Sequence, residues 1–140
     1  MDDSTLAAVA GFMQRDGFAR SLGIELLELR PGYARTAMTI SPYMVNAHGL
    51  PQGGAIFTLA DFAFAAACNS HGQMALALSM DSHFLSAAPI GARLIAEAVE
   101  EHLGRRTGLY WMTVTTEEGQ LIASLHGMAY RKGDNFLGAT

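Results

Sequence analysis

Apolar positions come first in the pattern Leu6, Val9, Ala10, Met13 behind a possible cap at Asp3 or Ser4. That spacing predicts a helix, which Asp16-Gly17 ends, with a short further turn from Phe18 to Leu22. Residues 1–22 are therefore read as an N-terminal helical segment. Ile24–Leu29 and Tyr33–Ile40 read as strands around Pro31-Gly32, and Ser41-Pro42 ends the second. Tyr43–Gln52 has no clear period. Gly53–Ser70, GGAIFTLADFAFAAACNS, is apolar nearly all round and reads as a buried central helix of roughly 25 Å. After Gly72 the pattern changes to long strands over Met74–Ala87, Arg93–Leu103, Leu109–Thr116 and Leu121–Arg131, and 133–140 reads as a tail.

One helix that is apolar on almost every side, with about six strands on short connections, predicts an α+β domain. Its sheet is mostly antiparallel and wraps around the helix. The 140 residues fit one domain. Hydrophobic residues make up 50% and charged residues only 16%, against a typical charged share of about 25%. Disorder is excluded on that composition. The shortage of charge points to a surface that is partly covered by other copies of the chain. A net charge of −4 with a single lysine, Lys132, leaves no basic face for nucleic acid. The acidic start MDDSTLAAVAGFMQRDG lacks a basic stretch before an apolar core, so no signal peptide is expected. Asp61 splits the most apolar segment, so no membrane span is expected, and the expected location is cytoplasmic. Cys68 has no cysteine partner.

Asp61 is the anomaly of the central helix. Aspartate is a poor helix former, and a carboxylate among Leu59, Ala60, Phe62 and Ala63 is costly unless it is paired or neutral. It is either bonded to Thr58 or a backbone group on the helix's one polar edge, or a general base or nucleophile in an apolar pocket. Gln52-Gly53-Gly54 opens the same helix, where unpaired amides and the positive end of the dipole suit a developing oxyanion. Gly53 and Asp61 lie roughly 12 Å apart along one helix. They can serve one carbonyl only if Asp61 comes from a second subunit, which asks for a dimer with an interfacial site.

Asn46-Ala47-His48-Gly49, Gln52-Gly53-Gly54 and Leu59-Ala60-Asp61, continuing through Ala67-Cys68-Asn69-Ser70, resemble the hotdog-fold acyl-CoA thioesterases. The match is closest to the phenylacetate-pathway (PaaI) branch, with its pattern N-G-H-G-x-x-H-G-G-x-x-x-x-L-A-D-x-A-F-A-x-A-C-N-S. The resemblance implies that Asp61 is nucleophile or general base. It also implies that the Gly53 amide polarises the thioester carbonyl in the partner subunit. Asn46 would orient the carboxylate or the attacking water, and Ser79 would help hold that water. Gln52, Gly54, His48 and Phe57 are expected to border the substrate. Gln52 stands where the family usually has histidine; it keeps hydrogen bonding but loses any acid–base role.

The five histidines form no H-x-x-x-H pattern and the one cysteine no C-x-x-C, so no metal or cofactor is expected. Arg105 and Arg106, in the Gly104–Gly108 turn, are the expected partners of the CoA phosphates. The resemblance implies hydrolysis of an aryl-acetyl or hydroxyphenylacetyl-CoA thioester by a homodimer or tetramer. A medium-chain acyl-CoA thioesterase, a non-catalytic acyl-CoA sensor and a hotdog hydratase or dehydratase are the alternatives.

Overall fold

The computed structural model describes residues 3–136. Its elements run α1 (Asp3–Met13), α2 (Gly17–Ser21), β1 (Glu25–Arg30), β2 (Tyr33–Thr39), a 3-10 turn (Pro42–Met44) and α3 (Gly53–Asn69). They continue with β3 (Gln73–Phe84), β4 (Arg93–Leu103), β5 (Thr107–Thr116) and β6 (Leu121–Asn135). The six strands form one sheet in the order β1-β2-β4-β5-β6-β3, and every neighbouring pair is antiparallel. The curved sheet with α3 held against it is the hotdog fold.

The inner face of the sheet carries Leu94, Ala96, Ala98, Tyr110, Met112, Val114, Ile122, Leu125 and Ala129, all buried. Against it α3 buries Ile56, Leu59, Ala60, Phe62, Ala63, Phe64, Ala66, Ala67 and Cys68. The many alanines let the helix lie close to the strands. Gly127 is needed for the same reason, because a Cβ there would meet the Phe64 ring at 3.0 Å. Beyond the glycines at its start, half-exposed positions on α3 fall at Phe57, Thr58, Asp61 and Ala65. Helical spacing puts Phe57, Asp61 and Ala65 on one open stripe.

α3 ends where the Ser70 hydroxyl donates to the Ala67 carbonyl at 2.6 Å and accepts the Gly32 amide at 2.7 Å. Gly72, at φ +87, then reverses the chain into β3. A Cβ at Gly72 would sit 2.7 Å from the Thr5 side chain, so the start of α1 packs on the end of α3. The rest of α1 runs back along α3 towards Asp61.

Two sequence expectations need correction. The strand expected over Met74–Ala87 ends at Phe84, because Leu85 and Ser86 turn away on bonds to the Ile122 carbonyl. The expected tail is strand through Asn135: Gln73 pairs with Asn135 and its side-chain amide donates to the Lys132 carbonyl. Phe136 then anchors on the Gly72 carbonyl. Residues 137–140 lie outside the described part. No helix among the described residues is long and apolar enough to cross a membrane.

Candidate active site

Asp61 lines a cleft of about 610 Å³. Its floor is Phe64, Ala65 and Cys68 of α3 with Met74–Ala77 of β3, and its roof is Phe12 and Met13 of α1. Arg15, Asp16 and Lys132 supply the charge. Thr58 does not bond the carboxylate, since its hydroxyl donates to the Gly54 carbonyl at 2.7 Å. Among the described residues Asp61 has no hydrogen-bond or ion-pair partner. Burial raises its pKa above the usual carboxylate value, and the nearby charge of Asp16 raises it further. Asp16 is fixed as the cap of α2, with Oδ1 accepting the Ala19 amide at 3.0 Å. Cys68 is buried and its thiol is pushed up to about 12, first by desolvation and then by Asp61. It packs as a neutral thiol.

A second cleft, of about 420 Å³, opens at the other end of α3 and is lined by Asn46, Leu50, Pro51, Gly53, Ile56, Phe84 and Leu85 among others. Asn46 builds the loop that carries it. Its Oδ1 accepts the amides of His48 at 2.9 Å and Leu50 at 3.1 Å, and Gly49 closes the turn at φ +77. The free group of Asn46 is thus the Nδ2 donor. Gln52 caps α3: its Oε1 accepts the Gly54 amide at 2.8 Å, and its carbonyl accepts the Ala55 and Ile56 amides. The Gly53 N–H is left without an acceptor among the described residues. A Cβ on Gly53 would meet the Phe84 ring at 3.3 Å, so glycine lets the helix start press against the end of β3.

Gly53 and Asn46 are therefore together, Asp61 is apart from them within one chain, and the Gly54 amide is taken by Gln52. His48 is exposed on the loop and lines neither cleft. Phe57 lies one turn before Asp61 on the open stripe, also outside both clefts. Phe64 is the aromatic residue of α3 that stands beside Asp61.

Ser79 is elsewhere. The register shifts between Ala77 and Ser79, so Ser79 pairs with Met128. It lies in a shallow depression with Asp81, Leu109 and His126. Met80 pairs with Gly127 on the inner face, which turns Ser79 to the outer one. Arg105 and Arg106 are exposed in the β4–β5 turn with no side-chain partner among the described residues. Arg131, by contrast, holds that turn by donating to the Gly104 carbonyl at 2.9 Å. Sequence reasoning missed Phe12, Met13 and Asp16, because only the fold brings α1 and its C-terminal turn across α3.

The thioesterase superfamily profile matches residues 48–123, from the Asn46–Gly49 loop through both helix-borne groups to β6. The chain belongs to that superfamily. A putative esterase of Archaeoglobus fulgidus is 40% identical over 123 residues, covering 88% of this chain and 80% of the relative. The acyl-coenzyme A thioesterase PaaI of Escherichia coli is 35% identical over 125 residues, 89% of each chain. The solved structure of the E. coli PaaI protein from the phenylacetic acid degradation operon superposes with a TM-score of 0.90 at 34% identity, over 94% of this chain and 96% of that one. As a thioesterase, the chain must place an activated oxygen nucleophile beside a polarised carbonyl. The two clefts hold the unpaired carboxylate of Asp61 and the unpaired amide of Gly53 separately.

Proposed function

We propose that this thioesterase hydrolyses acyl-CoA thioesters at a site shared by two subunits, with the Gly53 amide of one facing Asp61 of the other. The observation that carries the reading is the pairing of unsatisfied groups with two separate clefts. A carboxylate without a partner opens into the cleft against the start of β3. An amide without an acceptor opens into the cleft at the end of β3. β3 is an edge strand, bonded only to β6, and it exposes Leu76 and Leu78. A long, apolar, unpaired edge is a template for another strand. A two-fold axis through the middle of β3, pairing it with its own copy antiparallel, lays the start of one strand against the end of the other. That operation puts the Asp61 cleft of each subunit against the partner's Gly53.

In this arrangement the thioester carbonyl accepts the Gly53 N–H at the positive end of α3, which stabilises the oxyanion as it forms. Asn46 Nδ2 donates to the carboxylate or to the water it activates. Asp61 removes a proton from that water, or attacks the carbonyl to give a mixed anhydride that water then opens. Either route releases CoA thiol and the free acid. Arg105 and Arg106 sit at the end of the sheet where β5 and β6 approach the start of β3, free of carboxylates, and suit the phosphates of CoA. Aryl-acetyl and hydroxyphenylacetyl thioesters are the proposed substrates, with medium-chain acyl-CoA as the competing class. Back-to-back association of two dimers over the exposed Val99, Trp111 and Met128 accounts for the outer face of the sheet.

Thiol release across a panel of aryl and alkyl acyl-CoA substrates tests the activity. Turnover with at least one class is expected, and binding without turnover would favour the non-catalytic alternative. In single-turnover hydrolysis in ¹⁸O-water, label in Asp61 marks attack by the carboxylate with the anhydride opened at the Asp61 carboxyl carbon.

A further inference from the structure

The Asp61 cleft is bounded by two separate parts of the chain. Its floor lies inside the segment shared with the superfamily, residues 48–123. Its roof, on α1, lies outside that segment. Roof and floor each contribute an aromatic ring, Phe12 and Phe64. Each ring is held from behind by a second one. Phe12 meets Phe136 edge-on, with centroids 5.0 Å apart at 73°. Phe64 meets Tyr110 edge-on at 5.6 Å and 65°. Ala65, Ala75 and Ala77 leave the space between roof and floor unfilled. Phe12 is 37% exposed, and the Arg15 guanidinium, at the same cleft, lies 5.4 Å from its ring centroid.

We propose that Phe12 grips the acyl group of the substrate against Phe64 and thereby selects aryl over alkyl thioesters. The inference rests on the reading of Asp61 as the group that delivers the nucleophile, and it names the residue that chooses the substrate of that site. Two rings already fixed in orientation lose little freedom when a third slides between them, and aromatic pairs favour centroid separations of about 4.5–7 Å. A flexible alkyl chain gains only burial from the same walls and must be ordered as it enters. Selectivity then comes from α1, outside residues 48–123, while Gly53 and Asp61 lie within them.

The test compares kcat/KM for phenylacetyl-CoA and hexanoyl-CoA, read by CoA release, in the wild type, Phe12→Ala and Phe12→Leu. Phe12→Leu keeps an apolar side chain on α1 and removes only the ring, so it controls for loosening of the helix. The wild type is expected to favour phenylacetyl-CoA. That preference is expected to fall about tenfold in Phe12→Ala and several-fold in Phe12→Leu, with phenylacetyl turnover falling more than hexanoyl turnover in both. A wild type that prefers hexanoyl-CoA, or variants in which both substrates change by the same factor, would overturn the assignment and leave thioester hydrolysis standing. A wild type that hydrolyses neither would overturn the underlying reading as well.

Discussion

Asp61 is the residue on which the proposed chemistry turns, and its setting makes a double expectation. Its carboxylate is desolvated, has no partner among the described residues and is raised in pKa. Asp61→Asn is expected to reduce kcat by at least about 10²-fold, since it removes the acid–base group while keeping the shape. A kcat near that of the wild type would sink the assignment. The same substitution is expected to raise Tm at neutral pH. A carboxyl whose folded pKa is raised stabilises the fold only while protonated, and that contribution is lost as pH rises through the folded value. The Tm difference between Asn and Asp should therefore shrink towards zero below the ordinary value of 3.8. A thermal scan from acid to neutral pH reads it.

Asp16 supplies the second part of the shift. Asp16→Asn still caps α2 but drops the charge. It should move the acid limb of kcat/KM to lower pH with the plateau retained; an unmoved limb would remove Asp16 from the site's electrostatics. The sequence marked Asp61 because a lone carboxylate contradicts everything around it. It could not mark Asp16, an ordinary cap until the fold places it in the cleft. It could not show which face Ser79 takes, because one extra residue at the β3 bulge, invisible to alternation, turns that hydroxyl to the outer one.

At the scale of elements, α3 carries both groups of the proposed site, Gly53 at its start and Asp61 at its middle. Its start is a cap made by Gln52 that consumes the Gly54 amide and leaves the Gly53 N–H available. Gln52→Ala is expected to lower stability by about 0.5–1 kcal/mol, read from a denaturant midpoint, as for loss of an N-cap. A midpoint unchanged from wild type would mean that the side-chain bond contributes nothing. The helix itself was plain in the sequence, since seventeen residues of α3 fall within the eighteen expected. The end of β6 was not, because Gly133-Asp134 reads as a turn until pairing with Gln73 extends the strand. The Asn46 loop was legible as a motif. Its internal wiring was not, because which atom of Asn46 holds the turn depends on backbone geometry.

The whole molecule gives the low charge content a structural meaning. Leu76, Leu78, Phe84 and Leu85 are exposed along or just past an unpaired edge, and Asp61 and Gly53, the two groups of the proposed site, face opposite ends of that edge. Leu78→Glu on β3 is expected to dissociate the assembly and abolish turnover together, read by light scattering and CoA release. A monomer with full activity would contradict the shared site. If Gly53 and Asp61 serve one carbonyl, the helical rise between them asks for two subunits from sequence alone, whereas the strand that would join them emerged only from the sheet order.

The most direct measurement is subunit complementation. Asp61→Ala removes one half of the proposed site. Asn46→Asp removes the other, because its carboxylate can still accept the His48 and Leu50 amides but repels Asp61. Each variant alone should be inactive. Unfolded together and refolded as a mixture, half of the dimers are hybrids, and each hybrid holds one site with both residues intact, so about a quarter of wild-type activity should return. If each subunit carries its own complete site, the mixture stays as inactive as its parts.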